Sequence, residues 1–379
     1  MCESLLSNVV ATMSFKQVSV LKEIRAGEQR VIMLPSGDRK FVQTGYSILV
    51  ESGAGERAGY NDESYVEAGA IIVDAESAWN DSDIVLKYKA PDKSEFKYFR
   101  EGLHLACFMH AEGNLVLARE MLVSNMTAYA LEFCQTKRQE FPVPVSDSEI
   151  SGKLSIILTA YHLQSHMGGS GKLLSKVPGC PPPKVVVIGY GNAGGAAAHL
   201  AAAMGADVTV FGTRWEGLRK FQASAPKNVK CLLNSPDSFE EEILSADVVV
   251  GAILISTHDT WPLLDESLVK RMRSGSVIVD ITCGYGAGYM PTFDRFTTHL
   301  HPFYERFGVL HCKIDAMPAS VPFTAVHATD YNVTCWLIEI ANSIMSGNPS
   351  HIASTGLLVA KGEVIHSELH RHFDLCASG

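Results

Sequence analysis

The chain has 379 residues, 46% of them hydrophobic and 19% charged. That length calls for two or three domains, and the composition supplies large packed cores and excludes a disordered chain. A net charge of −9 argues against nucleic acid or an anionic membrane as a main partner. No stretch of the sequence reaches the roughly 18–20 apolar residues of a membrane span. The nine cysteines are scattered from Cys2 to Cys376 without a Cys-x-x-Cys pair. They read as small buried hydrophobes of a reduced intracellular protein, and no metal site is expected. Met1 to Lys16 lacks the basic start and apolar run of a secretory signal, so the expected location is cytoplasmic.

In chain order, the sequence predicts strands at Arg30–Leu34, Tyr46–Glu51, Asp83–Tyr88 and Leu103–Met109, with helices at Asp62–Ala68 and Gly113–Val123. Phe141–Val145 carries two prolines, cannot be a central strand, and marks a boundary. Asp147–His166 then places Ile150, Leu154, Ile157, Leu158 and Tyr161 at helical spacing, and the helix should end in the loop Gly168–Gly171. A regular succession follows: strand Lys184–Ile188, helix Asn192–Met204, strand Asp207–Phe211, helix Trp215–Ala223. Strands Val229–Leu233, Val248–Leu254 and Ser276–Ile281 come next, separated by helices Asp237–Leu244 and Asp265–Met272. This is the βαβαβ order of a doubly wound domain. From Thr324 a helical run through Val333, Leu337, Ile340, Ala341 and Ile344 is expected to return to the first domain. The histidines of His366–His372 read as a solvated helix end. The predicted fold is α/β with two domains: a Rossmann-type doubly wound parallel sheet over 148–323, and a discontinuous α/β domain from 1–147 and 324–379.

The strongest motif is Val185-Val186-Val187-Ile188-Gly189-Tyr190-Gly191-Asn192-Ala193-Gly194. A lone Gly-x-Gly-x-x-Gly is weak, but this one follows an apolar strand and opens an alanine-rich helix. Gly189 permits the tight turn, Gly191 lets a pyrophosphate approach the backbone, and Gly194 lets helix and strand pack closely. Asn192 and Ala193 bring the first N–H groups of the helix to the phosphates. The next strand runs into Gly212-Thr213-Arg214, with no carboxylate for a ribose 2′-hydroxyl. Thr213 and Arg214 suit a 2′-phosphate instead, which favours NADP(H), with NAD(H) as the alternative. The competing reading makes Arg214 a plain surface cation.

The N-terminal part holds a second set. Glu28-Gln29-Arg30-Val31 sets an arginine at a predicted strand start. Lys87 and Lys89 stand two apart at one strand end, and His110 closes another. Each is ordinary alone. Together they supply an anion clamp, a cation for a carbonyl oxygen and an acid/base near neutral pH, at strand ends where open α/β sheets bind ligands.

These segments resemble the alanine dehydrogenase and pyridine nucleotide transhydrogenase superfamily, and within it the alanine dehydrogenases. Further carriers are Lys22-Glu23, Glu51-Ser52-Gly53-Ala54-Gly55, Ser148-Glu149-Ile150-Ser151-Gly152-Lys153, Val177-Pro178-Gly179, Val250-Gly251-Ala252-Ile253-Leu254-Ile255 and Met317-Pro318-Ala319-Ser320-Val321-Pro322. The resemblance spans about Leu21 to His370. It implies that Arg30 binds a substrate carboxylate and that Lys89 and His110 are the catalytic contacts to the substrate carbonyl or amine. It adds Met317 to the substrate site and Ser148, Ile253 and Leu254 to the cofactor site. It further implies a cleft between a substrate domain and a Rossmann domain, hydride transfer to a 2-oxo or 2-imino acid, and a homo-oligomer. Two positions depart from the family. Gly284 stands where alanine dehydrogenases carry a catalytic aspartate, and Ala316 replaces an asparagine, leaving a less polar pocket lined by Tyr285 and Tyr289. The expected protein is an NAD(P)H-dependent oxidoreductase acting on the CH–NH2 or C=N group of a small amino, oxo or imino acid. An opine-type synthase and a non-catalytic NADP-binding protein are the alternatives.

Overall fold

The structure is a computed structural model that describes residues 16–253, 263–282 and 289–371. It divides into two units, with the chain passing from the first to the second at Val143/Pro144 and back at Ala325/Val326.

The first unit opens with β1 (Lys16–Val20), β2 (Tyr46–Glu51), β3 (Ile71–Val73), β4 (Ile84–Lys89), β5 (His104–Phe108) and β6 (Thr127–Ala130). These pair in parallel in the order β3-β2-β1-β4-β5-β6. The order reverses between β1 and β4, a topological switch point of a doubly wound sheet. Val18, Val20, Ile48, Val50, Ile84 and Leu86 fill its interior, as expected of strands covered on both faces. Side-chain caps start the intervening helices: Asn61 accepts from the Ser64 N–H, Asp74 from Ser77 and Asn114 from Leu117.

The second unit contains β7 (Lys184–Ile188), β8 (Asp207–Gly212), β9 (Val229–Leu233), β10 (Val248–Gly251), β11 (Val277–Asp280), β12 (Tyr304–Arg306) and β13 (Val309–Cys312). Their order is β9-β8-β7-β10-β11-β13, all parallel, with β12 antiparallel at the edge. The same reversal recurs, here between β7 and β10. The chain then returns to the first unit along the helix Pro322–Ser346, whose Val333, Leu337, Ile340 and Ala341 join that unit's core. The hairpin β14 (Leu357–Ala360) and β15 (Glu363–Val364) closes the sheet, with β14 antiparallel on β6.

Three expectations are corrected. Arg30–Leu34 is not a strand: it is a buried irregular segment entering the helix Pro35–Gln43, which begins on a proline. Carboxylates take its backbone N–H groups in place of a neighbouring strand, Glu28 at Arg30 and Asp330 at Leu34, both at 3.0 Å. The helix Val145–His162 forms, but its apolar spacing does not mark the buried face. Gly152, Ser155 and Thr159 lie inward, and a Cβ on Gly152 would sit 2.1 Å from the Ala193 carbonyl oxygen. Ile157 and Tyr161 remain 55% and 51% exposed. Close approach to the alanine-rich helix Asn192–Ala203 dictates which residues turn inward. Of the cysteines among the described residues, Cys107, Cys134 and Cys312 are buried, whereas Cys180 and Cys335 are exposed. Among the described residues no helix is long and apolar enough to cross a membrane.

Candidate active site

At the switch point of the first unit, Glu23 lies just beyond the end of β1. One of its oxygens accepts the backbone N–H groups of Tyr88 at 2.7 Å and Lys89 at 3.3 Å, fixing the end of β4. The register of β4 on β5 shifts between Leu86 and Lys89, an irregularity that can re-aim side chains. The two lysines of β4 consequently differ. Lys87 donates to Glu95 at 2.9 Å and lies 3.8 Å from Glu23. Burial works to lower its pKa, but Glu23 and Glu95 outweigh that and raise it. Burial pushes the Glu23 carboxyl up to about 7 in spite of Lys87.

Lys89 is only 5% exposed, and among the described residues its ammonium makes no hydrogen bond or ion pair. A desolvated cation without a partner is costly unless something is meant to meet it. Its field reaches both Glu28 and His110.

Arg30 is 2% exposed and lies over the Tyr88 ring, 4.0 Å from its centroid. Its Nε and one Nη donate to the two oxygens of Glu28 at 2.7 and 2.6 Å. Burial works to raise the Glu28 carboxyl, but the hydrogen bonds and charge of Arg30 hold it below its ordinary value. One bidentate edge of the guanidinium is therefore committed within the protein.

His110 follows β5 in a left-handed conformation, with φ 46° and ψ 39°. Glu132, in the turn Leu131–Phe133 after β6, receives the Met109 N–H at 3.0 Å on one oxygen and the His110 N–H at 2.6 Å on the other. The imidazole Nδ1 lies 3.8 Å from Glu132 and 3.9 Å from Glu112. Burial works against the imidazolium, but the two carboxylates outweigh it, and the ring titrates above its ordinary value. His110, Glu112 and Glu132 bring three potential ligand atoms within 4.8 Å of one another, a geometry that a cation could use. The sequence reading missed Glu132 and gave no role to Glu23. The available clue to Glu132 was a single acid inside the apolar run Tyr129-Ala130-Leu131-Glu132-Phe133.

The glycine motif occupies the switch point of the second unit. Gly189 has φ 107°, and a Cβ there would meet the Ala252 carbonyl oxygen at 2.4 Å and Ile253 Cγ2 at 3.2 Å. A Cβ on Gly194 would lie 2.1 Å from the Gly189 carbonyl oxygen, whereas one on Gly191 would meet nothing within 4 Å. Packing thus explains two of the glycines. The third keeps its backbone open to a ligand at the uncapped N-terminus of the helix Asn192–Ala203, as a dinucleotide pyrophosphate requires. Asn192 and Ala193 are the first residues of that helix, and Gly212 ends β8. Thr213 and Arg214 are exposed beyond it, while Ser148 and Ile253 are half-buried.

Met317 is buried in this unit's core, and Ala316 is half-buried. Leu254, Gly284 and Tyr285 lie outside the described residues. Tyr289 is buried, with its hydroxyl 3.1 Å from Asp280 and 2.6 Å from Thr282, and Lys313 donates to Asp280 at 2.7 Å. Its hydroxyl is thus engaged in a structural network.

Two doubly wound units, one with a dinucleotide fingerprint at its switch point, define a two-domain Rossmann-type α/β protein. Residues 19–151 match the model of the alanine dehydrogenase/PNT N-terminal domain, and residues 155–367 that of the C-terminal domain. The chain belongs to the alanine dehydrogenase/PNT family. It is 34% identical over 363 residues to the alanine dehydrogenase of Methanococcus maripaludis, covering 94% of this chain and 96% of that one. With the alanine dehydrogenase of Bacillus subtilis it shares 34% identity over 357 residues, 93% and 94% of the two chains. A solved L-alanine dehydrogenase superposes with a TM-score of 0.85 at 33% identity, over 94% of this chain and 99% of the other.

Proposed function

We propose that this protein is an NADP(H)-preferring oxidoreductase acting at the C–N carbon of an amino or imino acid other than alanine. The observation that carries the reading is the buried ammonium of Lys89, which makes no hydrogen bond or ion pair among the described residues and whose charge acts on both Glu28 and His110. Arg30, held still by Glu28 and the Tyr88 ring, supplies the cation for the substrate carboxylate. Lys89 polarises the carbonyl or imine substituent. His110, kept protonated to higher pH by Glu132 and Glu112, gives up or takes the proton. When bound, the nicotinamide supplies or accepts the hydride.

Two features of the sequence support a substrate other than alanine. Glycine at 284 and alanine at 316 have no side-chain hydrogen-bonding group to hold a small nucleophile such as ammonia. A preformed or cyclic imine, or an amino acid that supplies its own amine, does not need that help. Gly212-Thr213-Arg214 after β8 supports NADP(H), since no carboxylate stands there to repel a 2′-phosphate.

The test follows NADPH and NADH absorbance across 2-oxo acids with ammonia, with amino acids and with cyclic imines. Turnover with NADPH and a bulkier imine or amine, and feeble turnover of pyruvate with ammonia, is expected. Brisk oxidation of L-alanine would restore ordinary alanine dehydrogenase chemistry, and an absence of turnover with every pair would overturn the enzyme reading.

A further inference from the structure

Tyr190 lies between the first two glycines of the fingerprint, and its ring runs across the end of β8. A Cβ on Gly212 would sit 2.3 Å from Tyr190 Cε1 and 2.5 Å from Cδ1. A Cβ on Gly217 would sit 2.5 Å from the Tyr190 hydroxyl oxygen and 2.8 Å from Cε2. The hydroxyl donates to the Arg214 carbonyl at 3.3 Å, and the ring centroid lies 6.4 Å from that of Phe221. Neither Gly212 nor Gly217 has positive φ, so backbone conformation does not demand glycine at either position. Gly217 even stands in the first turn of the helix Trp215–Ser224, where glycine gives up stability. What both positions require is room for the ring.

In a doubly wound dinucleotide site, the carboxylate that accepts from the ribose 2′-hydroxyl projects from the end of the second strand, which here is Gly212. We propose that Tyr190 is a coenzyme-specificity residue of this chain: its ring fills the space that a carboxyl-bearing side chain at 212 would need. The ribose end of the site is thereby left with an uncharged aromatic ring beside Thr213 and Arg214, the two groups that can receive a 2′-phosphate, and no carboxylate at 212 competes with it. The inference rests on the coenzyme reading above and adds a coupling to it. Residues 190 and 212 act as one unit, and the strand end cannot be changed alone.

The experiment measures dissociation constants for NADPH and NADH by calorimetry, together with ligand-free melting temperatures. The proteins are the wild type, Gly212→Asp, Tyr190→Ala and the double variant. Gly212→Asp alone has to expel the ring, so it should lower the melting temperature and weaken both coenzymes about tenfold without reversing their order. Tyr190→Ala should restore the melting temperature when combined with Gly212→Asp. Only the double variant should favour NADH, by roughly tenfold relative to wild type. Should Gly212→Asp not hold its fold, Gly212→Ala with and without Tyr190→Ala reads the same coupling from melting temperature. A single Gly212→Asp variant that switches preference as fully as the double, or additive effects at the two positions, would overturn the proposal. Wild type binding NADH more tightly than NADPH would instead refute the coenzyme reading, while the non-additivity at 190 and 212 would still be measurable.

Discussion

Glu132→Gln keeps the shape of the side chain and removes its charge. The native carboxylate uses one oxygen for the Met109 N–H and the other for the His110 N–H. A glutamine has one oxygen and one NH2 group, so one of those N–H groups must face a donor. Leaving a buried donor without its acceptor costs about 1–3 kcal/mol. The imidazolium also loses a carboxylate 3.8 Å from its Nδ1. At an effective dielectric near 20 such a pair is worth about 4 kcal/mol. Glu112 persists at 3.9 Å and water can enter, so much of that is recovered. A net loss of about one pH unit, roughly 1.4 kcal/mol, is the conservative expectation. The His110 ring should titrate at lower pH, read by NMR against a His110→Ala reference, and the corresponding limb of kcat/KM should move with it. The affinity for NADPH should not change. An unshifted ring titration in a folded Glu132→Gln protein would refute the claim that this carboxylate holds the proton on His110.

Arg30→Lys retains a charge but loses the fork held by Glu28, and should raise KM for a carboxylate substrate by an amount equivalent to roughly 1–3 kcal/mol. An unchanged KM would remove Arg30 from the substrate site. Lys89→Met should abolish most turnover yet raise the melting temperature by about 2–4 °C, because a buried ammonium with no hydrogen bond or ion pair among the described residues is exchanged for an apolar chain of similar length; a fall in melting temperature would contradict that account. Glu23 binds its proton more tightly in the fold, at about 7 against an ordinary 4.5. Its contribution to stability is therefore present below pH 4.5 and lost as pH rises through about 7, in total about 3 kcal/mol. Glu23→Gln keeps an acceptor for both backbone N–H groups and should flatten that part of the stability–pH curve. Wild type and variant with identical slopes between pH 5 and 8 would refute it.

What was legible in the sequence was local. Val185 to Ile188 followed by three spaced glycines specifies strand, turn and helix within ten residues, and the structure follows it. Strands such as β3, β6 and β13 have only three or four residues, too few to show a period, and were not foreseen. The irregular path of Arg30–Leu34 depends on carboxylates at positions 28 and 330, the second of them 296 residues away from Leu34. The cations of the site were readable as residue types at strand ends. Their partners were not: Glu23, Glu95 and Glu132 arrive from other strands and turns, and only the folded sheet decides that Lys87 is paired while Lys89, among the described residues, is not.

The discontinuity of the first unit bears on how the protein is made. Chain synthesis delivers β1 to β6 first, yet the outer edge of β6 has to wait for β14, and the core has to wait for Val333, Leu337 and Ile340. Until some two hundred further residues emerge, that sheet presents an unpaired edge and an uncovered apolar face, the two features that invite aggregation. The second unit needs nothing from outside Pro144–Ala325 to complete its seven strands. It can fold on the ribosome while the first unit is still waiting. A fragment ending at Val143 should accordingly collect in inclusion bodies, and Pro144–Ala325 expressed alone should melt cooperatively. The middle of this chain is finished before its beginning.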